Sequence, residues 1–299
     1  MTRLLIVLGV VALALGVAGA ASGEAGAAVC VTDDAGREVC VERPAERIIA
    51  LSPGVTELLY AAGAGERLVG AVSFSDHPAA AAELPRVGSS DRLDLEAMLA
   101  LSPDLVVAWS GGNPEEQVER LIRLGIPVFY SAADDFATIA SSLERLGALA
   151  NTQATAHQTA SQLRAEVAAL RRRHADAEPV SVFYQVWESP LMTLNGEHWV
   201  SQALALCGGV NLFAEQSALV PRIGVEAVLG RDPEAIITGG RGKADAAWLD
   251  AWREFPDMTA VRQDNLFFIN PDLVQRATPR LVEGTRDICR HLEAVRERR

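Results

Sequence analysis

Five histidines (His77, His157, His174, His198 and His291), four cysteines, and the glycine pairs of LVVAWSGGN and AIITGG are the places where this chain could do chemistry. The histidines are scattered. No H-E-x-x-H pair and no G-x-S-x-G elbow is present, so neither a zinc hydrolase nor a serine hydrolase can be assembled from local motifs. An exported α/β enzyme with dispersed catalytic residues stays as the remote alternative. His157, His174 and His291 fall on helical stretches and read as solvated surface residues. Dinucleotide-binding turns need G-x-G-x-x-G after the first strand, with an acid about twenty residues on. Here G-G-N-P follows an internal strand, and ITGGRGK lacks the spacing of a phosphate loop. The glycines are better placed to turn the backbone sharply at the carboxyl end of a strand, where open α/β sheets hold ligands of any kind.

The cysteines lack paired C-x-x-C spacing, so no metal site is expected of them. Four thiols allow three pairings. Cys30 and Cys40 flank VTDDAGREV, an alternating strand, turn and strand, so they face each other across a hairpin. Cys207 and Cys289 are then left to pair over a long loop.

Aromatic residues point more clearly to a ligand. Of five tryptophans, Trp109, Trp187 and Trp199 fall in or near loops at strand ends. Trp248 and Trp252 are four apart on a helical stretch, the spacing of packing residues. Loop tryptophans joined by Phe74 could wall a cleft for a broad, partly apolar ligand; each could equally be structural.

Short β-branched runs alternate with helical patterns from RIIAL onward, which predicts βαβ units on parallel sheets. The fold class is therefore α/β, with a β-hairpin at 29–42, one lobe at 46–150 and a second at 179–296. Residues 151–176 lie between the lobes, inside a stretch with no glycine and with proline only at its end, and predict one long helix. About twenty-four residues would span ~36 Å, enough to join two lobes; a surface helix of a single domain is the plainer reading. LEAMLALSPDLVV (95–107) and VEAVLGRDPEAII (225–237) align without a gap at an offset of 130, with Glu96 matching Glu226. That internal repeat suggests two lobes of one design.

Arg3 followed by LLIVLGVVALALGVAGAA has the form of a secretory signal, with cleavage expected after residue 20 or as late as 27. Val29 before Cys30 disfavours a lipoprotein signal. A formal charge of −12 argues against nucleic acid and for a basic protein partner.

Longer segments carry a resemblance. RIIALSPGVTELLYAAGAGERLVGAVSFSDHP, LEAMLALSPDLVVAWSGGNPEEQVERLIRLGIPVF, LCGGVNLF, VEAVLGRDPEAIITGG and NPDLVQRATPRL resemble the helical-backbone periplasmic binding proteins, and within them the branch that hands cobalamin to an ABC importer. The resemblance implies two Rossmann-like lobes joined by one rigid interdomain helix, with the ligand cleft between them. It implies a periplasmic monomer that binds a corrinoid without catalysing a reaction and without a resident cofactor, the cobalt belonging to the ligand. By position, Phe74 and Trp109 fall on cleft aromatics, and Asp272, Leu273, Val274, Gln275 and Arg276 on a polar ligand-contacting loop. Cys207 and Cys289 fall on a disulfide, which agrees with their spacing. Glu96 and Glu226 fall on the glutamates that dock onto a permease dimer driven by its ATPase. Two other cleft tryptophans of that branch are replaced by Ser90 and Val220, and loop aromatics by Leu273 and Val274; Trp187 could supply a ring from the second lobe. These departures leave haem or a ferric siderophore as the alternative ligand, with His77, Arg92, Arg222 and Arg241 as candidate contacts.

Overall fold

The computed structural model describes residues 28–240 and 243–299, without the side chains of 243–245. The expected signal segment and Arg241 lie outside the described residues. Among those described, no helix is long and apolar enough to cross a membrane.

The chain opens with an antiparallel hairpin, β1 (Val29–Thr32) and β2 (Glu38–Val41), in which Cys30 pairs with Cys40 in register and in a disulfide. Asp33 closes the turn by accepting from the backbone N–H groups of Ala35 and Arg37 at 2.9 and 2.8 Å. Next come β3 (Ile48–Ala50), α1 (Pro53–Ala61), β4 (Leu68–Ala71), the two-residue strands β5 (Gly88–Ser89) and β6 (Arg92–Leu93), α2 (Leu95–Ala100), β7 (Leu105–Trp109), α3 (Glu115–Arg123), β8 (Val128–Ser131) and α4 (Phe136–Leu149). After α5 (Gln153–Arg173) follow β9 (Val180–Gln185), α6 (Trp199–Leu206), β10 (Gly209–Asn211), α7 (Val225–Leu229), β11 (Ala235–Thr238), a 3-10 helix at Lys243–Glu254, α8 (Thr259–Arg262), β12 (Leu266–Phe268), α9 (Pro271–Val274) and α10 (Leu281–Glu297).

Two parallel sheets result, ordered β4-β3-β7-β8 and β10-β9-β11-β12. Each repeats one plan in its half of the molecule. The strands β3 and β7 at the centre of the first sheet are continuous apolar runs, as expected where both faces of a parallel sheet are covered. Ile48, Ala50, Leu105 and Val107 enter one core cluster, whereas Ile49, Val106 and Ala108 enter the other, the two-residue alternation of a pleated strand.

The repeat at 95–107 and 225–237 is structural. Glu96 and Glu226 occupy the first turns of α2 and α7. Ser102 and Asp232 both take positive φ, 46° and 42°, before Pro103 and Pro233. A left-handed non-glycine residue is uncommon, so its recurrence at matching positions marks the same helix-to-strand turn made twice. The strands that follow, β7 and β11, are third in their respective sheets.

Helix α5 has 21 residues, about 31 Å at 1.5 Å per residue. Ala156, Ala160, Leu163, Val167 and Leu170 form its buried seam. That seam belongs to the core cluster shared by both sheets. Thr152 and Thr159 donate from their hydroxyls to the carbonyls of Ala62 and Ala61 at the end of α1, at 2.7 and 3.0 Å. On the other side Glu166 pairs with Arg286 of α10 at 2.9 Å. Cys207 at the end of α6 is bonded to Cys289 of α10, so both disulfides form in the pairing that spacing favours.

One element departs from the sequence reading. The stretch around AAWLDAWREF, read there as an ordinary helix, is a 3-10 helix. Trp248 and Trp252 remain buried packing residues within it, and the Trp252 ring N–H donates to Gln185 Oε1 at 2.7 Å.

Candidate functional site

Four of the five residues of β7 are buried, and the fifth, Trp109, emerges at its carboxyl end with 42% of its surface exposed. Its setting is built by the residues after it. Gly111 has φ +74°, which favours glycine. At Gly112 the reason is contact: a Cβ there would stand 2.0 Å from Trp109 Cε3, so the indole lies against bare backbone. Asn113 then fixes three loops at once. Its Oδ1 accepts from the Trp109 N–H at 2.6 Å, and its Nδ2 donates to Leu51 and Ser90 carbonyls at 2.8 Å each. The turn is no phosphate cradle. Glu115 and Glu116 fill the first turn of α3, where they would repel an anion.

Phe74, in the loop after β4, is 79% exposed with φ +64°. A phenylalanine held in a left-handed conformation and presented to solvent is a costly arrangement. It puts an apolar ring on the same carboxyl edge of the first sheet as Trp109. His77, Arg92 and Arg222 are exposed, and Ser90 and Val220 are partly exposed or exposed.

The second half contributes α9 and its exit. Asn270 caps α9 by accepting from the Asp272 N–H at 3.1 Å, leaving the Asp272 side chain exposed. Gln275 is exposed and its amide donates to the Gly240 carbonyl. Leu273 is half-buried against the core. Val274 corrects the sequence reading: it has no exposed surface and packs where a Cβ on Gly284 would stand 2.6 Å from its Cγ1. Its carbonyl accepts from the Trp199 ring N–H at 2.7 Å, so this residue anchors α9 and offers no side-chain contact to a ligand. Trp187 is half-buried, donating to the Ser189 carbonyl at 3.0 Å and meeting Trp248 edge to face at 6.0 Å.

Arg276 joins the halves. Its Nη1 donates to Glu57 Oε1 at 2.7 Å and to Asp76 Oδ1 at 2.9 Å, both in the first half, and its Nη2 lies 3.4 Å from the Phe74 carbonyl. Asp272 is 3.5 Å away on the same side. Burial lowers the pKa of Arg276, but hydrogen bonds and charge from Glu57 and Asp76 raise it further, leaving it above the ordinary arginine value. A Cβ on Gly54 would touch Arg276 Cβ at 3.8 Å. Trp109 is tied through Asn113 to Leu51, the residue before the Ser52 cap of α1, and Arg276 reaches the same end of α1 at Gly54. Sequence reasoning missed Glu57 and Asn113. For Glu57 a signal existed: it is a lone acid inside the apolar run of α1, and it is 4% exposed.

Glu96 and Glu226 are exposed, and no ion pair among the described residues occupies either carboxylate. Leu99 and Val225 stand exposed beside them, at 42% and 36%. Two concavities lie elsewhere: a groove of about 200 Å³ between α5 and α10, and a hollow of about 500 Å³ beside α7 lined by Leu229, Phe255 and Met258. Neither includes Phe74, Trp109 or Arg276 in its walls.

The sequence profile of the periplasmic binding protein family matches residues 48–273. A vitamin B12-binding protein of Vibrio parahaemolyticus is 35% identical over 256 residues, covering 86% of this chain and 92% of that one. The crystal structure of the periplasmic vitamin B12 binding protein BtuF of Vibrio cholerae superposes with a TM-score of 0.79 at 35% identity, covering 85% of this chain and 99% of that one. The apo form of the periplasmic heme-binding protein RhuT from Roseiflexus superposes at 0.74 with 22% identity, covering 84% and 99%, a likeness of fold alone.

Proposed function

The chain belongs to the periplasmic binding protein family, and from that premise we propose that it captures cobalamin or a related corrinoid in the periplasm and delivers it to an ABC importer. The observation that carries the reading is Trp109, an exposed indole bedded on Gly112 at the carboxyl end of β7. The likeness to vitamin B12-binding proteins over most of the chain supports it. Phe74, Trp109 and Trp187 cover apolar parts of the corrinoid, and Asp272, Gln275 and Arg276 hydrogen-bond its amide rim. Leu273 adds apolar contact. The protein performs no covalent chemistry and holds no cofactor of its own; cobalt arrives and leaves with the ligand.

Delivery rests on Glu96 and Glu226. Equivalent glutamates in the first turns of two repeated helices suit a two-fold symmetric partner, the permease dimer of the importer, whose ATPase supplies the energy. Each carboxylate also gains from the positive end of its helix, a contribution of roughly 0.3–1 kcal/mol that needs no partner. The binding protein acts as a monomer, and its acidity gives it no affinity for nucleic acid.

Titration of the purified protein with cyanocobalamin and, separately, haemin, followed by visible absorbance and tryptophan fluorescence, tests the reading. Saturable binding of cyanocobalamin supports it. No response at tens of micromolar cobalamin, with saturation by haemin instead, replaces corrinoid by haem.

A further inference from the structure

Glu57 is the most deeply placed charge at the junction, and three groups from the other half of the molecule converge on it. Oε1 accepts from Arg276 Nη1 at 2.7 Å and from Arg280 Nη1 at 3.2 Å, while Oε2 accepts from the Thr278 hydroxyl at 3.1 Å. The carboxylate side chain is 3% exposed, and the arginines are 14% and 23% exposed. Partners more than two hundred residues apart in sequence thus meet around one carboxylate with little access to water. Asp76, 61% exposed, completes the grip on Arg276 from the rim.

Arg276 therefore cannot choose its direction freely. Its Nη1 is committed to Glu57 and Asp76 of the first half, and its Nη2 lies between the Phe74 carbonyl and the exposed Asp272 carboxylate. Charge-assisted hydrogen bonds of this kind are directional as well as strong, and a planar guanidinium passes that direction on. Another hydrogen bond between the halves is neutral and exposed, Gln202 Nε2 to the Asp134 carbonyl at 3.2 Å.

We infer that Glu57 is the positioning residue of the ligand site: a clasp that fixes the separation of the two walls and orients Arg276 toward the ligand without touching the ligand itself. It is a role for the first half of the chain in arranging the contact loop of the second. Its ligand-binding consequence rests on the corrinoid reading; its mechanical consequence does not.

Two measurements test it on the full-length mature protein. Spin labels at Leu124→Cys and Val210→Cys, exposed positions in opposite halves, report the inter-half distance by pulsed electron resonance without ligand. The parent gives one narrow distribution, and Glu57→Gln broadens it; an unchanged distribution overturns the clasp. Cyanocobalamin affinity is then measured for Glu57→Gln, Arg276→Gln and the double variant. Each single change weakens binding by about ten-fold, and the double is no worse than Arg276→Gln, because Glu57 acts through that arginine. Fully additive losses would overturn the positioning role. If the parent does not bind cyanocobalamin, the corrinoid reading fails while the distance measurement still decides the clasp. Should Glu57→Gln fail to fold, Thr278→Val removes one of the three partners and gives a smaller broadening; none overturns the clasp.

Discussion

Replacing Trp109 with alanine gives the sharpest test of the binding surface, because the loss can be worked out beforehand. A tryptophan offers roughly 250 Å² of surface, and 42% of that of Trp109 is exposed, so about 100 Å² is available for a ligand to cover. At ~25 cal/mol per Å² this is about 2.5 kcal/mol, or roughly 70-fold in Kd. Folding stability should fall as well, since more than half of the residue's surface is covered where it lies on Gly112. Calorimetric titration with cyanocobalamin measures the first quantity and thermal melting the second. Gly112→Ala provides an independent route to the same surface. Its Cβ would stand 2.0 Å from the indole, so the ring must swing off its bed, and at least about ten-fold in affinity should go with it while Trp109 itself is retained. A Kd within about three-fold of the parent for Trp109→Ala, with the fold intact, refutes the placement of this ring against the ligand.

Exchange of both Glu96 and Glu226 for alanine should leave cyanocobalamin affinity unchanged and weaken capture by the reconstituted importer; equal capture by the variant rejects docking through these carboxylates. His198 should make the protein acid-sensitive. Burial pushes its pKa from 6.5 down to about 4, so its contribution is present above pH 6.5 and is lost as pH falls toward 4. Between pH 7.5 and 4.5 the loss is on the order of 2–3 kcal/mol. Its Nδ1 caps α6 by accepting from the Val200 N–H at 3.1 Å; His198→Asn keeps an acceptor there and should flatten the acid limb of urea midpoints, whereas identical slopes would dismiss His198 as the cause. Removing the Cys207–Cys289 bridge by Cys207→Ala with Cys289→Ala opens a loop of 82 residues and should cost roughly 4 kcal/mol by urea denaturation. A change below about 1 kcal/mol would mean that the loop is already confined when unfolded.

Much of the fold is legible in the sequence because its strands are buried on both faces. Runs such as IIAL and LVVAW are apolar throughout, and the helices between them show their own period. The repeat was visible as four identities, yet its cause, the left-handed turns at Ser102 and Asp232, depends on backbone geometry that side-chain types do not display. Trp109 was legible as a lone aromatic before a glycine pair. Its supports were not: Asn113 acts by reaching Leu51, 62 residues earlier, and a partner at that range has no local pattern. Glu57 meets Arg276 across 219 residues for the same reason. Val274 was misplaced because on a helix residues three apart share a face, here Pro271 and Val274, and one turn of residue types cannot fix its rotation. The 3-10 stretch at 243–254 escaped because its apolar spacing also suits an α-helix.

The core seam of α5 lies in the same apolar cluster as strands of both sheets and as Ile288, Leu292 and Val295 of the last helix. A cluster of that reach ties the order of folding to the order of synthesis. A chain emerging amino end first has no means of completing this cluster until α10 is free to dock. Until then α5 can pack against α4 and α1, and only its contacts with α10 wait for the last helix to be made.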